Sequence, residues 1–228
     1  MSRSECMHCC LQKMSPEVQN IVRTMSNPNV VQQSQLWDIE RQKLYITASM
    51  ISSVVAYNPF KSRQAALSEK ISPEPVKFSN ECTLHGQKFE KEALELYSAT
   101  YGHKCIPNPQ LCKRSNFYEG RVGCSPDGIT YCGILLEIKC PLRRKISEKS
   151  KIPIYYIPQL QFSLHLLKLD SAHFYEYDAF KKVGFLKVMP KNLLWIDEHD
   201  DKISDFIDDI KLYVDHDHLL LSNDADKI

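Results

Sequence analysis

The apolar and polar positions in the first hundred residues repeat with helical spacing. Together with cap and proline residues, this spacing predicts three short helices, over residues 15–25, 34–43 and 49–57. Two prolines mark residues 71–75 as a loop. A long helix is predicted over residues 79–101, and Gly102 is expected to end it. The first part of the chain is therefore predicted to be largely helical.

After residue 103 the pattern changes from helical spacing to short apolar runs. Up to residue 140, β-prone pieces alternate with turn residues, and residues 134–140 are apolar almost throughout, as in a strand deep in a sheet. The remainder predicts a helix over 153–167, strands over 172–177 and 184–189, and a final amphipathic helix over about 201–220. We therefore expect an α/β or α+β fold, in which a central mixed β-sheet is flanked by helices. It should form one domain over residues 34–228, after a partly mobile helical extension over residues 1–33.

Composition and charge narrow the classes of function. The chain has 228 residues, is 43% hydrophobic and carries a formal net charge of +1. This hydrophobic content suffices for a globular domain with a hydrophobic core. The net charge is close to zero, so any nucleic-acid binding should come from a local basic patch. One such patch lies within thirteen residues, and its members are Lys139, Arg143, Arg144, Lys145, Lys149 and Lys151. Because the chain lacks a long apolar run and a secretory signal, we expect no membrane span and a place inside the cell, in nucleus or cytoplasm.

The cysteines indicate the redox setting. The chain has nine cysteines, an odd number, and their spacing is not that of a small disulfide-bonded domain. We therefore expect reduced thiols. The amino-terminal cluster Cys6, His8, Cys9 and Cys10 has the residue types of a zinc site, but no second pair follows at zinc-finger spacing. A mobile, thiol-rich terminus is the preferred interpretation of this cluster.

Three residues in the strand region carry candidate chemistry. Asp127 lies at a sharp turn between Pro126 and Gly128, and Glu137 interrupts an apolar strand ten residues later. Lys139 shares the face of Glu137, because strand side chains repeat every two residues. A hairpin would bring the two carboxylates together as a hard oxygen site suited to Mg²⁺, with the lysine beside it to hold or deprotonate a water. The structural alternative is a Glu137–Lys139 ion pair or a solvent-facing Glu137.

Segments outside this region complete a family resemblance. The two segments SPDG at 125–128 and LEIKCP at 136–141 resemble the core of the PD-(D/E)xK nuclease superfamily, and more narrowly the phage lambda exonuclease and YqaJ-type viral recombinase family, which includes viral alkaline nucleases. Three further segments resemble that family's motifs in order: Trp37 to Ser49 (W-x-x-x-R…ITAS), His85 to Glu90, and Tyr156 to Gln161. The resemblance covers about residues 34–220. It implies a PD-(D/E)xK restriction-endonuclease-like core.

The resemblance implies specific catalytic roles. Asp127 and Glu137 would bind Mg²⁺, or Mn²⁺ in its place, together with the backbone carbonyl of Ile138. Lys139 would orient the attacking water and stabilise its deprotonated form. Glu90 would hold a second metal or its water shell, and Gln159 would touch the substrate or the lysine. Taken without the motif, Glu90 would be an ordinary helix-surface partner. Gln159 and Gln161 could be surface residues, although one of them must face inward on the expected helix.

The resemblance also implies DNA contacts. Arg41 and Ser49, in the segment that contains Thr47, would grip a terminal 5′ phosphate. The other DNA contacts expected are those of Gln161, Arg143, Arg144 and Lys145. As alternatives, Ser49 could be a helix N-cap and Arg41 a solvated helix residue, while His85 and His165 are expected to be satisfied structural histidines. The sequence departs from the family pattern in three places. One extra residue separates Arg41 from Thr47, the loop between Lys139 and Gln159 is short, and the upstream acidic residue Glu119 is two positions out of register.

The implied function is a Mg²⁺-dependent 5′→3′ exonuclease. Its substrate would be double-stranded DNA with 5′-phosphorylated ends, in viral or phage-type recombination or DNA processing. One alternative is a structure-selective endonuclease on DNA or RNA. Another is a DNA-binding recombination scaffold with a weak or idle site that recruits a single-strand annealing protein. The sequence leaves open whether the chain forms a homo-oligomer.

Overall fold

The computed structural model describes residues 19, 21, 34–72, 80–106, 112–113 and 117–225, with side chains of the last helix as far as residue 213. Of the helix predicted over 15–25, only Gln19 and Ile21 are described, and both are helical. The cysteine and histidine cluster at residues 6–10 and most of the loop predicted at 71–75 lie outside the described residues. The domain boundary at residue 33 stays a prediction.

Two of the helices predicted in the first hundred residues are confirmed. Helix α1 is Gln35–Gln42, and the side chain of its N-cap Ser34 accepts from the backbone of Trp37 at 3.2 Å. Strand β1, Ile46–Thr47, follows it. The long helix is Glu81–Tyr101, and it ends at Gly102, whose φ of 69° is the left-handed conformation expected of a C-terminal glycine.

Two shorter helices lie between these elements and differ from prediction. Helix α2 is only Ile51–Val54, because the backbone amides of Tyr57 and Asn58 both turn back to Ser52 O instead of continuing the helix. Helix α3, Arg63–Ile71, was not predicted. Its N-cap Ser62 is ordinary, but only Ala66 and Leu67 are buried, so its apolar pattern is weak. The long helix Glu81–Tyr101 is therefore α4.

The strands form two mixed sheets. Strands β2 (Cys112–Lys113) and β3 (Val122–Cys124) join β1 in the order β1–β3–β2. The second sheet has the order β4–β5–β6–β7, and its strands are Gly128–Ile129, Leu135–Lys139, Ser171–Asp178 and Val183–Pro190. Strands β5 and β6 are parallel, whereas β4–β5 and β6–β7 are antiparallel. The expected mixed sheet flanked by helices is confirmed.

Helices cover both faces of the four-stranded sheet. Helix α5, Ile157–Leu167, follows a 3₁₀ turn at Ile154–Tyr156 and is buried along most of its length. It packs against the face that carries Leu135 and Phe174, whereas α4 packs against the face that carries Leu136 and Tyr175. The long last helix α6, Trp195–Ala225, begins earlier than predicted and packs against α3 and α5. None of the helices in the described part of the chain is long and apolar enough to cross a membrane.

Candidate active site

Glu137 is the centre of a hydrogen-bonded group on β5. Lys139 Nζ donates to Glu137 Oε1 at 2.5 Å, and Gln159 Nε2 donates to the same oxygen at 2.6 Å. The carboxylate is buried, and Gln159 reaches it from the first turns of α5. The ion pair that the sequence offered as a structural alternative is therefore present, and Gln159 extends it into a three-residue arrangement.

The hairpin of β4 and β5 brings Asp127 to this group, as the spacing predicted. Gly128 pairs with Leu136, and the backbone amide of Ile138 donates to Asp127 Oδ2 at 2.7 Å. Burial disfavours the charged carboxylate, and Glu137 adds negative charge beside it, so the pKa of Asp127 is raised well above its ordinary value. Two carboxylates thus share a buried corner of the sheet.

Glu90 faces the same corner from α4. It lines a cavity of about 540 Å³ together with Asp127 and Lys139. Burial raises the pKa of Glu90; the charge of Lys139 lowers it and that of Glu137 raises it further. The side chain therefore points into the cleft, and the alternative of an ordinary helix-surface residue does not describe it.

Lys139 remains a cation in this setting. Burial alone would lower its pKa, but the charges of Glu137 and Asp127 outweigh that effect, so the pKa of Lys139 is raised. The ring of Tyr156 lies 5.1 Å from Nζ and adds a cation–π contact. Such a lysine is suited to orienting a water and stabilising negative charge. It is a poor proton acceptor.

The donor set fits a hard divalent cation. In the described ranges no three His, Cys, Asp or Glu side chains stand together at metal-ligand spacing. As the resemblance implies, the carbonyl of Ile138 would join the oxygens of Asp127 and Glu137; carboxylate and carbonyl oxygens are ligands that Mg²⁺ accepts together with water. Three carboxylates, those of Glu90, Asp127 and Glu137, face one ammonium, and a cation would offset this negative excess.

The expected phosphate-binding residues also come together. An Arg41 guanidinium nitrogen donates to Ser49 Oγ at 2.8 Å, and the hydroxyl oxygens of Ser49 and Thr47 lie 3.1 Å apart. The alternative role of Ser49 as a helix N-cap is wrong. Helix α2 begins at Ile51, and its N-cap is Met50, which makes no side-chain cap bond. Arg41, Ser49 and Thr47 thus present a guanidinium and two hydroxyl groups at one place, and we call them the hydroxyl–arginine group.

A further contact joins this group to the Asp127 turn. Trp37 Nε1 donates to Ser125 Oγ at 3.0 Å, and the Arg41 guanidinium lies over the Trp37 ring, 5.0 Å from its centroid. Ser125 is two residues before Asp127. Sequence reasoning found both segments but not this contact, which ties the position of Arg41 to that of the Asp127 turn.

The basic residues after β5 have partners that differ in burial. Arg143 donates to Glu81 at 3.0 Å in an exposed ion pair, and Lys145 is exposed. Arg144 donates to Glu176, whose side chain is fully buried. Lys187 Nζ donates to the other oxygen of Glu176 at 2.5 Å. Sequence reasoning missed Glu176, although it interrupts an apolar strand as Glu137 does.

Gln161 does not have the role expected of it. Its exposed fraction is 4%, its amide nitrogen donates to Pro190 O at 2.9 Å, and its amide oxygen accepts from Asn192 N at 2.8 Å. The prediction that Gln161 contacts DNA is therefore corrected: the side chain joins α5 to the end of β7. His165 Nε2 likewise lies 2.7 Å from Asn192 O, as expected of a structural histidine.

Two residues singled out in the sequence lie apart from the site. His85 contacts the ring of Phe180, but its buried Nε2 has no hydrogen-bond partner among the described residues, so only part of the structural expectation for it holds. Glu119 accepts from Lys211 on α6 at 2.6 Å. Glu119 is therefore engaged with α6, and the structure does not bring it to the Asp127 turn.

Solved structures of similar fold come from bacteria. An alkaline exonuclease from Laribacter hongkongensis superimposes with a TM-score of 0.69 at 23% identity, and the match covers 85% of this chain and 99% of that one. A phage-related exonuclease from Haemophilus somnus gives a TM-score of 0.54 at 15% identity, covering 79% and 96%. At these identities the likeness establishes the fold.

Sequence relatives come from large DNA viruses. An uncharacterized protein of Acanthamoeba polyphaga mimivirus is 26% identical over 175 residues, which are 68% of this chain and 31% of the relative. A protein of African swine fever virus is 28% identical over 182 residues, 67% and 51% respectively. The chain thus spans about a third to a half of the length of these relatives. A model of the YqaJ-like viral recombinase domain matches residues 36–168, more than half of the chain and all the motifs named above. The chain therefore belongs to the YqaJ-like viral recombinase domain family.

Proposed function

We propose that this chain is a Mg²⁺-dependent deoxyribonuclease that hydrolyses phosphodiester bonds in viral or phage-type recombination or DNA processing. One observation carries the proposal: Lys139 and Gln159 both donate to Glu137 Oε1, beside the Asp127 turn, at the edge of an open cavity. A buried ion pair with no function would not need an open cavity or two further carboxylates beside it. Membership of a recombinase family and the exonuclease fold support the same conclusion.

Each residue of the proposed site has a distinct role in hydrolysis. Asp127, Glu137 and the carbonyl of Ile138 would hold the metal, with Mn²⁺ as a substitute. When bound, the metal supplies charge neutralisation on the scissile phosphate and on the leaving oxygen. Lys139 stays protonated, so it donates to the attacking water and stabilises the hydroxide that forms as the proton of that water passes to solvent. Gln159 holds the Glu137 carboxylate in one orientation, and Glu90 would bind water of the metal's shell or a second ion.

The preference for ends rests on the hydroxyl–arginine group. A guanidinium with two adjacent hydroxyl groups matches the oxygens of a terminal phosphate, which carries more charge than an internal phosphodiester. The Trp37–Ser125 hydrogen bond links this group to the catalytic turn. We therefore propose 5′→3′ digestion of double-stranded DNA from 5′-phosphorylated ends. A single-strand annealing protein is the expected partner on the strand left behind.

A digestion experiment tests this function. Linear duplex, circular duplex and single-stranded DNA, each labelled, are incubated with the protein in Mg²⁺, in Mn²⁺ and with EDTA. We expect mononucleotide release from linear duplex with either metal and none with EDTA. The Glu137→Gln variant, which keeps the shape of the side chain, is expected to be inactive. Cutting of circular DNA would favour the endonuclease alternative, and equal cleavage by Glu137→Gln would exclude this site.

A further inference from the structure

An aromatic wall lines the cavity beside the catalytic residues. The ring of Phe60 lies edge-to-face against Tyr155, with centroids 5.3 Å apart and planes at 79°. Tyr155 contacts Tyr156 at 4.5 Å, and Tyr156 lies under the ammonium of Lys139. All three rings line the same cavity as Asp127. They form a continuous row from the mouth of the cavity to the catalytic lysine, which we call the aromatic row.

Phe60 is exposed although its backbone is fixed. Its side chain is 79% exposed, the highest fraction among the large hydrophobic residues of the described part of the chain. The backbone amide of Phe60 donates to Asn58 Oδ1 at 2.9 Å, and Asn58 Nδ2 donates to the buried Ser53 at 3.0 Å. These bonds form an Asx turn that holds the loop in place. The loop therefore presents an apolar ring to solvent at a defined position beside the site.

The same cavity also has basic residues in its lining. Arg143 and Arg144 line it together with Leu142, so the cavity combines guanidinium groups with aromatic rings. These two chemistries match the two parts of a nucleic-acid strand, since phosphates pair with guanidinium groups and bases stack on aromatic rings. A duplex presents only the edges of its bases in its grooves, so a stacked base must be unpaired.

We propose that Phe60 and Tyr155 form a stacking site for one unpaired nucleobase of the strand being cut. This inference rests on the proposed nuclease function and adds a substrate requirement to it. The nucleotide near the scissile phosphate leaves its complement before hydrolysis and is held by its base on the aromatic row. Because ring faces read no hydrogen-bond pattern, the site accepts all four bases, which suits an enzyme that digests any sequence.

A double-mutant cycle, which combines substitution of Phe60 with removal of a nucleobase, tests this site. Binding of 5′-phosphorylated oligonucleotide duplexes is measured in Ca²⁺, with either a normal or an abasic nucleotide at each of the first positions of the 5′ strand. Base stacking on aromatic side chains corresponds to about 5- to 100-fold in affinity. At one position, Phe60→Ala should weaken binding of normal DNA by that factor and leave abasic DNA unaffected. Phe60→Trp should restore the difference.

Matched variants separate stacking from general effects. Tyr155→Ala should reproduce the base-dependent loss, whereas Tyr155→Phe keeps a ring and should not. Tyr213→Ala removes an exposed aromatic ring on α6, away from the cavity, and should change neither substrate. If Phe60→Ala weakens normal and abasic DNA equally, or neither, while wild-type protein still degrades DNA, the stacking site is wrong and the nuclease function stands. If the wild-type protein neither binds nor cuts DNA, both proposals are wrong.

Discussion

The side-chain amide of Gln159 and the ammonium of Lys139 donate to one and the same carboxylate oxygen, Glu137 Oε1, at 2.6 and 2.5 Å. Gln161, two residues further along α5, turns away from this oxygen and bonds to the main chain after β7. The pair Gln159 and Gln161 therefore separates a role at the site from a role in the fold, although both lie in one six-residue motif.

We predict opposite phenotypes for these two glutamines. Gln159→Ala should lower the cleavage rate about 10- to 100-fold, as removal of groups that orient metal ligands typically does. Its free energy of unfolding should stay near wild type. Gln161→Ala removes the two hydrogen bonds that this buried side chain makes to the main chain, so it should lower the free energy of unfolding by about 0.5–1.5 kcal/mol per bond. Single-turnover cleavage and urea unfolding measure the two effects, and a rate loss confined to Gln161→Ala would contradict the assignment.

The second prediction concerns the 5′ end. Arg41→Ala removes the cation of the hydroxyl–arginine group, so it should slow digestion of 5′-phosphorylated ends about 10- to 100-fold, the range of hydrogen bonds to charged groups. Digestion of 5′-hydroxyl ends should change much less. Lys43→Ala is the matched control, because Lys43 lies at the end of the same helix and pairs with Glu40. Equal slowing of both substrates by Arg41→Ala would mean that Arg41 does not read the phosphate.

Local spacing explains why the proximity of the three proposed catalytic residues could be predicted. Asp127, Glu137 and Lys139 lie within one hairpin, where turn residues and the two-residue repeat of a strand determine which side chains meet. The α4 and α5 positions of Glu90 and Gln159 required the family resemblance, because periodicity alone does not say which helix face meets which strand. For Gln161 the resemblance placed the residue on the correct helix and assigned the wrong role.

Side-chain contacts between residues far apart in the sequence could not be predicted from the sequence. Arg144 and Glu176 are 32 residues apart, and Trp37 and Ser125 are 88 apart. Each pair depends on the order in which strands and helices assemble, which no local pattern encodes. The unpredicted helix α3 has a different cause, since it buries only Ala66 and Leu67 and depends on packing against α6.

The third prediction uses the buried carboxylate Glu176. Both of its oxygens accept from cations, those of Arg144 and Lys187, in a fully buried position. Glu176→Gln would leave two partly buried cations without their counter-charge, so it should lower the free energy of unfolding by about 3–5 kcal/mol. Adding Lys187→Met should recover part of this loss. The control is Glu81→Gln, which breaks the exposed pair with Arg143 and should cost about 1 kcal/mol or less.

The fourth prediction concerns acid stability and His173. Burial, and then the nearby His103, lower the pKa of His173 from its ordinary 6.5 to about 4. Tyr97 OH lies 2.6 Å from His173 Nδ1. The rings of Tyr97 and His103 both pack edge-to-face against the imidazole of His173. Between these pH values the unfolded chain binds a proton that the folded chain does not. The free energy of unfolding should therefore fall as the pH falls from about 6.5 to about 4.

Replacing His173 tests this linkage. His173→Gln should flatten the pH dependence of the free energy of unfolding in that window, measured by urea titration at several pH values. Tyr97→Phe removes the hydroxyl but keeps the ring, so it should lower stability and preserve the slope, because burial is the larger cause of the shift. An unchanged slope in His173→Gln would assign the acid transition to other groups.

The last prediction separates chemistry from binding at Lys139. This lysine stays charged and pairs with Glu137 next to Asp127, whereas Arg143 and Lys145 lie beyond β5 with exposed side chains. Lys139→Ala should therefore lower the single-turnover cleavage rate about 10²- to 10³-fold, the usual loss when a donor that stabilises developing negative charge is removed. DNA affinity measured in Ca²⁺ should change little.

Charge reversal at the exposed basic residues after β5 is expected to have the opposite effect. Arg143→Glu with Lys145→Glu should weaken DNA binding and make its salt dependence shallower, with near-normal cleavage at saturating protein. Arg144 is left unchanged in this variant because a carboxylate there would face the buried Glu176 and destabilise the fold. If Lys139→Ala instead loses affinity and keeps its saturated rate, the lysine is a phosphate contact, and the role given to its ammonium in hydrolysis is wrong.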